Sequence, residues 1–403
     1  MQSNVLILTN WSFNDALIQT YTLPYLRIIR SLQPSGSSML LLTLESRVLS
    51  AAERESIKES LKREGIEWIH GRYFRLGFRA VTSWPGLLLR LWYSSIRSSI
   101  GTIHCWGTPA GAGGYLLSVI TGAKLVIDSY EPHAEAMVEN GSWTRKSFAF
   151  RALFAMERLQ TARASVLIAA NEDMREYALV KYGRELKDML TKPACVDMQI
   201  FDPAIKDDGA LAAQLGLTGK LVAVYAGKFG GIYLDREVFD FFKAASDRWG
   251  EKFRVLLLTG HTGSEIDAYC KSSGLDRSLI VARFVPHAQM PRFLALADFA
   301  VTPVKPVPTK RYCTPIKDGE YWAMGLPVVI TAGISNDSAI IRQEGIGAVL
   351  TNLNTASYVA ALEEVDALLA EPGSDLANRI RSVALRYRSF SIAELVYRKV
   401  YGS

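Results

Sequence analysis

Cysteine is scarce: Cys105, Cys195, Cys270 and Cys313 lie far apart in 403 residues, and no two form a CxxC pair. That spacing argues against a zinc site and a disulfide framework, and it fits a reducing cytoplasm. Long apolar runs are also missing, since no uncharged stretch approaches the ~20 residues that span a bilayer. No signal peptide opens the chain; Met1-Gln2-Ser3-Asn4 leads straight into the strand-like run Val5–Leu8. A cytoplasmic protein is expected, soluble or peripheral on a membrane. Short-period repeats and low-complexity tracts are absent, which excludes solenoid and fibrous classes. No His, Cys or carboxylate cluster has metal-ligand spacing, so neither a metal nor another cofactor is expected.

What is present is the balance of an ordered globular protein, with 49% hydrophobic and 21% charged residues. The length exceeds what one core supports and suggests two or three domains. A net charge of +6 and a pI near 9.0 favour anionic partners without choosing among nucleic acid, lipid and phosphorylated substrate.

Short apolar runs alternate with stretches of helical period. Strands are predicted at Val5–Leu8, Met39–Leu44, Lys124–Asp128 and Ser165–Ala169. In the second half they are predicted at Leu221–Tyr225, Arg254–Leu258, Asp298–Thr302, Pro327–Ile330 and Ala348–Thr351. Asp235–Ala245 and Met290–Ala297 read as helices. This rhythm predicts an α/β fold, with doubly wound parallel sheets in two Rossmann-like domains. It breaks at Lys192–Asp197 and in the polar run 203–209. The expected division is therefore residues 1–200, residues 201–385 and a terminal helix from 386 to 403 that crosses back to the first domain. Ligands of such sheets bind outside the carboxyl ends of the strands, in the strand-to-helix loops.

The most informative segment runs from Thr314 to Val329. Thr314 suits an N-cap and Pro315 the first helical position. Unpaired amides at that end, around Ile316 and Lys317, join the helix dipole to make an anion site. Lys317 adds a positive charge, and Glu320 lies one turn deeper on the same face, where a carboxylate can accept two hydrogen bonds from a vicinal diol. Gly325 ends the helix before Pro327-Val328-Val329. The plain alternative is a capped surface helix whose Lys317 and Glu320 form a local pair.

A second motif is Val224-Tyr225-Ala226-Gly227-Lys228-Phe229-Gly230-Gly231. A strand followed by a turn containing Gly227, Gly230 and Gly231 lets backbone approach a pyrophosphate, and Lys228 can neutralise a leaving phosphate. An ordinary tight turn is the alternative.

These two segments resemble the donor-binding signature of the family 4 retaining glycosyltransferases (glycosyl transferases group 1), which have the GT-B fold. The match rests on Glu320, Gly325 and Pro327. The resemblance implies two Rossmann-like domains facing a cleft, a nucleotide-sugar donor held by the second, and an acceptor on the first. It implies that Glu320 binds the ribose, that amides near Ile316 and Lys317 meet the diphosphate, and that Lys228 is the first of two basic residues gripping it. Arg236 is the nearest candidate for the second. The family's earlier Glu, which contacts the donor sugar, is replaced by Tyr312. Pro193-Ala194-Cys195-Val196-Asp197 and Phe201 resemble the interdomain segment. Val285-Pro286-His287 and Ala297-Asp298 match a stretch that lines the base pocket through backbone atoms.

Several residues carry two readings. His261, after Leu258-Thr259-Gly260, either touches the donor or is an exposed loop histidine. His133 is the candidate sugar contact from the first half, or a loop residue beside Glu131. Asn14-Asp15 either reaches the acceptor or caps a helix. Arg72, Arg75, Arg79, Arg90 and Arg97 alternate with Tyr73, Phe74, Phe78, Trp84, Trp92 and Tyr93, and no acid occurs between Gly71 and Ile100. That composition suits an anionic membrane surface or RNA, and the membrane reading stands equal to a core helix with an arginine-rich solvent face.

The reading so assembled is a metal-independent glycosyltransferase acting with retention, with Lys228, His133 and Glu320 as catalytic candidates. A UDP-sugar is favoured over a GDP-sugar, the acceptor is a glycan or lipid-linked molecule of the cell envelope, and no nucleic acid is expected. A nucleotide-sugar epimerase and a non-catalytic basic binding protein are the alternatives.

Overall fold

The computed structural model describes residues 4–74, 78–205 and 209–402, with backbone alone for 78–81. The chain divides into two units, Met1–Pro193 with Ser391–Ser403, and Ala194–Phe390. The first division falls at Pro193, before the expected one at residue 200, because Val196 already belongs to the second unit. Its amide donates to the Arg388 carbonyl at 2.7 Å, and Phe201 is buried in that unit's core. The last division falls at Phe390, where the terminal helix Phe390–Tyr401 begins.

The first unit holds β1 (Val5–Leu8), β2 (Met39–Glu45), β3 (Ile66–Arg72), β4 (Thr102–Trp106), β5 (Lys124–Tyr130), β6 (Val166–Ala169) and β7 (Met189–Thr191). They form one parallel sheet in the order β3-β2-β1-β4-β5-β6-β7. The second unit holds β8 (Leu221–Ala226), β9 (Phe253–Leu258), β10 (Ile280–Arg283), β11 (Phe299–Thr302), β12 (Val328–Thr331) and β13 (Gly347–Leu350). Their order is β10-β9-β8-β11-β12-β13, again parallel. Both sheets are covered by helices on each face, which is why β1 is apolar throughout, β2 is apolar except for Thr43 and Glu45, and both are wholly buried. In each sheet the order reverses beside the first strand, so the loops after β1 and β4, and after β8 and β11, flank a topological switch point.

All nine strands expected from the sequence are present within two residues. β3, β4, β7 and β10 were not foreseen. β4 carries a buried His104, β7 has three residues, and β3 and β10 are edge strands with part-exposed polar positions. The helix expected to reach Ala297 stops at Leu294, and Asp298 instead accepts the Val222 amide at 2.7 Å.

Each unit buries a charged cluster. In the first, Tyr397 of the terminal helix donates to Asp128 at 2.6 Å, and Tyr401 shares a 2.6 Å hydrogen bond with His104. Lys192 Nζ lies 3.3 Å from Asp128 and 3.9 Å from the Tyr25 ring centroid. Burial pushes the Asp128 carboxyl up, but Lys192, His104 and Tyr397 outweigh it and hold its pKa at about 2. The terminal helix is thereby fastened to the first unit.

In the second unit, Arg388 pairs with Asp337, stacks over Trp322, and neighbours Asp318, which accepts from the Thr302 hydroxyl. Burial, then the adjacent Asp337 charge, raises Asp318 well above the ordinary carboxylate range, which favours its protonated form. Such a group stabilises fully below its unfolded pKa and loses that contribution as pH rises through its folded value. Asp318→Asn, which keeps a donor, should therefore fold as well as wild type near neutrality and hold its stability better toward alkaline pH. Arg388→Met leaves the buried acids without their cation and should cost about 3–5 kcal/mol. Urea unfolding at two pH values checks both; a strongly destabilised Asp318→Asn would show that this group is ionised.

Candidate functional site

The loop after β8 is built tightly. The Tyr225 hydroxyl donates to the Lys228 carbonyl at 2.6 Å, the Gly227 amide to the Leu258 carbonyl at 3.1 Å, and the Phe229 amide to His261 Nε2 at 2.9 Å. A Cβ on residue 227 would lie 2.5 Å from the Tyr225 hydroxyl, so only glycine fits over it. Gly230 and Gly231 adopt φ of +77° and +65°, in the left-handed region. The turn then joins the loop after β11, through Leu234 to Pro303 at 2.7 Å and Lys305 to Ile232 at 3.0 Å. This fixed backbone presents the exposed side chain of Lys228 at the carboxyl end of β8.

The helix Ile316–Ala323 starts one residue later than expected. Pro315 occupies the N-cap and Thr314 precedes it, its hydroxyl turned to Ser335 at 3.4 Å. Proline has no side-chain acceptor, so the first amides of this helix, at Ile316 and Lys317, carry no side-chain cap.

Glu320 is buried, unlike a member of a surface pair. Lys317 Nζ reaches one of its oxygens at 2.8 Å and His287 Nε2 the other at 3.0 Å. Burial alone would raise its pKa, but the Lys317 charge and the His287 hydrogen bond prevail and lower it. Glu320 is therefore an ionised acceptor in a buried setting. The next residue, Tyr321, accepts the Ala226 amide at 2.9 Å, which ties this helix to the end of β8 just before Gly227. Lys317, Glu320 and the Lys228 turn are thus part of one assembly.

Other candidates are placed differently. His261 is not an exposed loop histidine: its side chain is 16% exposed, with Nε2 taking the Phe229 amide and Nδ1 3.4 Å from Glu265. It supports the glycine turn from beneath. Arg236 opens the helix Arg236–Trp249 and points to solvent, 3.7 Å from Asp240, and no contact links it to Lys228. Val285 is buried in the core, which leaves only its backbone for a ligand. Tyr312 is buried in the turn Pro308–Tyr312. Asp15 accepts the Leu17 amide at 2.8 Å, the capping role.

His133 lies in the first unit, at the start of the helix His133–Glu139, 34% exposed and 3.7 Å from Glu131. Beneath it Glu157, absent from the sequence reading, accepts from the Ala134 amide at 3.0 Å, the Thr108 hydroxyl at 3.1 Å and the Tyr182 hydroxyl at 2.9 Å. Nothing in its helical stretch marks it; only tertiary contacts do. Burial raises its pKa from 4.5 to about 7 against those hydrogen bonds. Its contribution to stability is complete below 4.5 and declines as pH rises through about 7. Glu157→Gln should flatten the fall in melting temperature between pH 5 and 8. An unchanged slope in a thermal-unfolding series would show that another group causes the fall.

Among the described residues, no group of three or more His, Cys, Asp or Glu side chains is placed to hold a metal ion, and no helix is long and apolar enough to cross a membrane.

With this geometry in hand, comparison with known proteins is informative. The chain has the fold of sucrose-phosphate synthase from Thermosynechococcus elongatus (TM-score 0.72, 13% identity, 99% of this chain and 98% of that one). It is also similar to Anabaena HepE in complex with UDP (0.71, 14%, 99% and 100%) and to WaaG, a glycosyltransferase involved in lipopolysaccharide biosynthesis (0.69, 13%, 99% and 100%). No curated protein matches the chain in sequence. The two parallel-sheet units are therefore those of a GT-B glycosyltransferase fold. Residues 222–368, which include the Lys228 turn and Glu320, match the family model described as Glycosyl transferases group 1. The chain thus has the GT-B fold, and its second unit carries the group 1 match.

Proposed function

We propose that the protein transfers a sugar from a nucleotide diphosphate sugar, with a UDP-sugar before a GDP-sugar, to a glycan or lipid-linked acceptor of the cell envelope. The transfer retains configuration and needs no metal. The observation that carries the donor half is Glu320, a buried ionised acid one turn below a helix start that bears Lys317 and has no side-chain cap. A carboxylate there suits a ribose diol, and the helix start suits the diphosphate. HepE, a structural neighbour, binds UDP, which favours uridine.

In the proposed reaction the bond between the donor's anomeric carbon and the diphosphate breaks, and its electron pair goes to the departing oxygen. The acceptor oxygen bonds to that carbon, and its proton passes to the departing diphosphate. No enzyme nucleophile takes part. Lys228 and the helix start stabilise the growing negative charge.

Glu320→Ala should weaken nucleoside diphosphate binding by about 1.5–3 kcal/mol, the range for a hydrogen bond to a charged group. Lys228→Ala should lower kcat far more than nucleoside affinity, because charge grows on the leaving group in the transition state. Calorimetry and steady-state kinetics separate the two. Unchanged affinity in the first, or only a raised KM in the second, would remove that residue from its role. Donor turnover without acceptor would favour an epimerase.

The acceptor half rests on a surface. The helix Phe78–Arg97 exposes Leu89, Trp92, Tyr93 and Ile96, and it packs beside the helix Gly107–Thr121, which exposes Leu116, Val119 and Ile120. Arg90 and Arg97 are exposed on the same helix, and no acidic residue occurs from Trp68 to Ile127. Arg75 lies outside the described residues, as do the side chains of Phe78 and Arg79. This apolar and basic face fits the headgroup level of an anionic membrane, where each basic residue adds about 1 kcal/mol. Wild type should sediment with anionic vesicles and be released by high salt, whereas a Leu89→Glu, Tyr93→Glu, Ile96→Glu variant should stay in solution. Equal sedimentation of the two would argue for a soluble acceptor.

A further inference from the structure

We infer that His287 is a positioning residue for recognition of the nucleotide's ribose, acting through the Glu320 carboxylate. The inference rests on the reading that Glu320 takes the ribose diol. A terminal carboxylate torsion is soft, so one donor on one oxygen does not set the plane of the group. Here two donors from different parts of the fold do so. Lys317 comes from the same helix, three residues earlier, and holds one oxygen at 2.8 Å. His287 comes from the turn His287–Gln289 after β10, and its Nε2 holds the other at 3.0 Å.

The two donors differ in rigidity. Lys317 is a long, flexible cation at the helix start, and a diphosphate bound there competes for its ammonium. His287 has a short side chain, and its turn is closed by the Gln289 amide donating to the Pro286 carbonyl at 2.9 Å. Its ring also lies edge-on to the buried Phe201, 5.5 Å between centroids. With its ammonium shared with a diphosphate, Lys317 is the weaker of the two anchors, and His287 is the firmer one.

Counting acceptor sites gives the same result. An ionised carboxylate offers about two sites on each oxygen. Lys317 uses one on the first oxygen and His287 one on the second, leaving one on each. Two adjacent free sites on two oxygens match two adjacent hydroxyls. His287 therefore governs discrimination for the diol, not for the base or the diphosphate.

The test is calorimetry with UDP and GDP, each beside its 2′,3′-dideoxy form, on wild type, Glu320→Ala, His287→Ala and His287→Gln. Wild type should bind the diol form at least about tenfold more tightly, a difference worth one good hydrogen bond. His287→Ala should reduce that ratio toward unity by weakening the diol form alone, and His287→Gln, which keeps an N–H near the same place, should restore much of it. A His287→Ala ratio equal to wild type, or equal weakening of both forms, overturns the inference while leaving Glu320 in its role. A wild-type ratio near unity, unchanged in Glu320→Ala, overturns the ribose reading itself and the inference with it.

Discussion

The second unit is organised around the burial of one short helix, Ile316–Ala323. Six of its eight residues, Asp318 to Ala323, are withdrawn from water, and two of these are acids. Burying a carboxyl is unfavourable unless it is protonated or paired. The surrounding structure meets that condition in two ways. Asp318 is pushed toward its protonated form by burial and Asp337, whereas Glu320 is held toward its ionised form by Lys317 and His287. Tyr321 and Trp322 complete the packing, one holding the Ala226 amide and the other lying under the Arg388 guanidinium. Moving this helix would break contacts with β8, β11, the turn after β10 and the end of the unit together.

The contrast between Asp318 and Glu320 follows from distance to charge. Two residues apart on one helix, they face opposite surroundings: an acid and an arginine shared with another acid for Asp318, two cationic or donor groups for Glu320. Burial pushes both pKa values up, and only at Glu320 do the neighbours overcome it. The first unit repeats the logic. Asp128 is held ionised by Lys192, His104 and Tyr397, whereas Glu157, bonded only to neutral donors, has its pKa raised to about 7. Buried ion clusters of this kind contribute little net stability compared with apolar packing, but removing one partner is costly. At Asp128 the effect is to specify where the terminal helix docks.

Much of the sheet was legible in the sequence. The apolar runs at Val5, Leu221 and Pro327 become strands because a parallel sheet covered on both faces selects continuous apolar segments. Strands with a polar residue in the middle escaped, and β4 with His104 is the clearest case, since its polarity is satisfied by Tyr401, almost 300 residues away. The glycine turn at Gly227 was legible because left-handed backbone and close approach leave a compositional mark. The cap falls at Pro315, one residue after Thr314: threonine and proline fit adjacent positions in either register, and the Thr314 hydroxyl faces Ser335 instead of the helix amides. His261 read as a surface residue because nothing nearby in sequence announces the Phe229 amide that it accepts.

Local chemistry was determined by the sequence alone. The alternation of strand and helix, the glycines at 227, 230 and 231, and the Lys317–Glu320 spacing of one helical turn all follow from backbone geometry that neighbouring residues impose. What only the tertiary structure decided is the ionisation and partnership of the buried groups. His287 stands 33 residues from Glu320 in the chain, and Arg388 stands 51 from Asp337. A hydrogen bond between such residues depends on how strands are ordered in a sheet, and that order is set by the summed packing of the whole unit. No short stretch of sequence contains it.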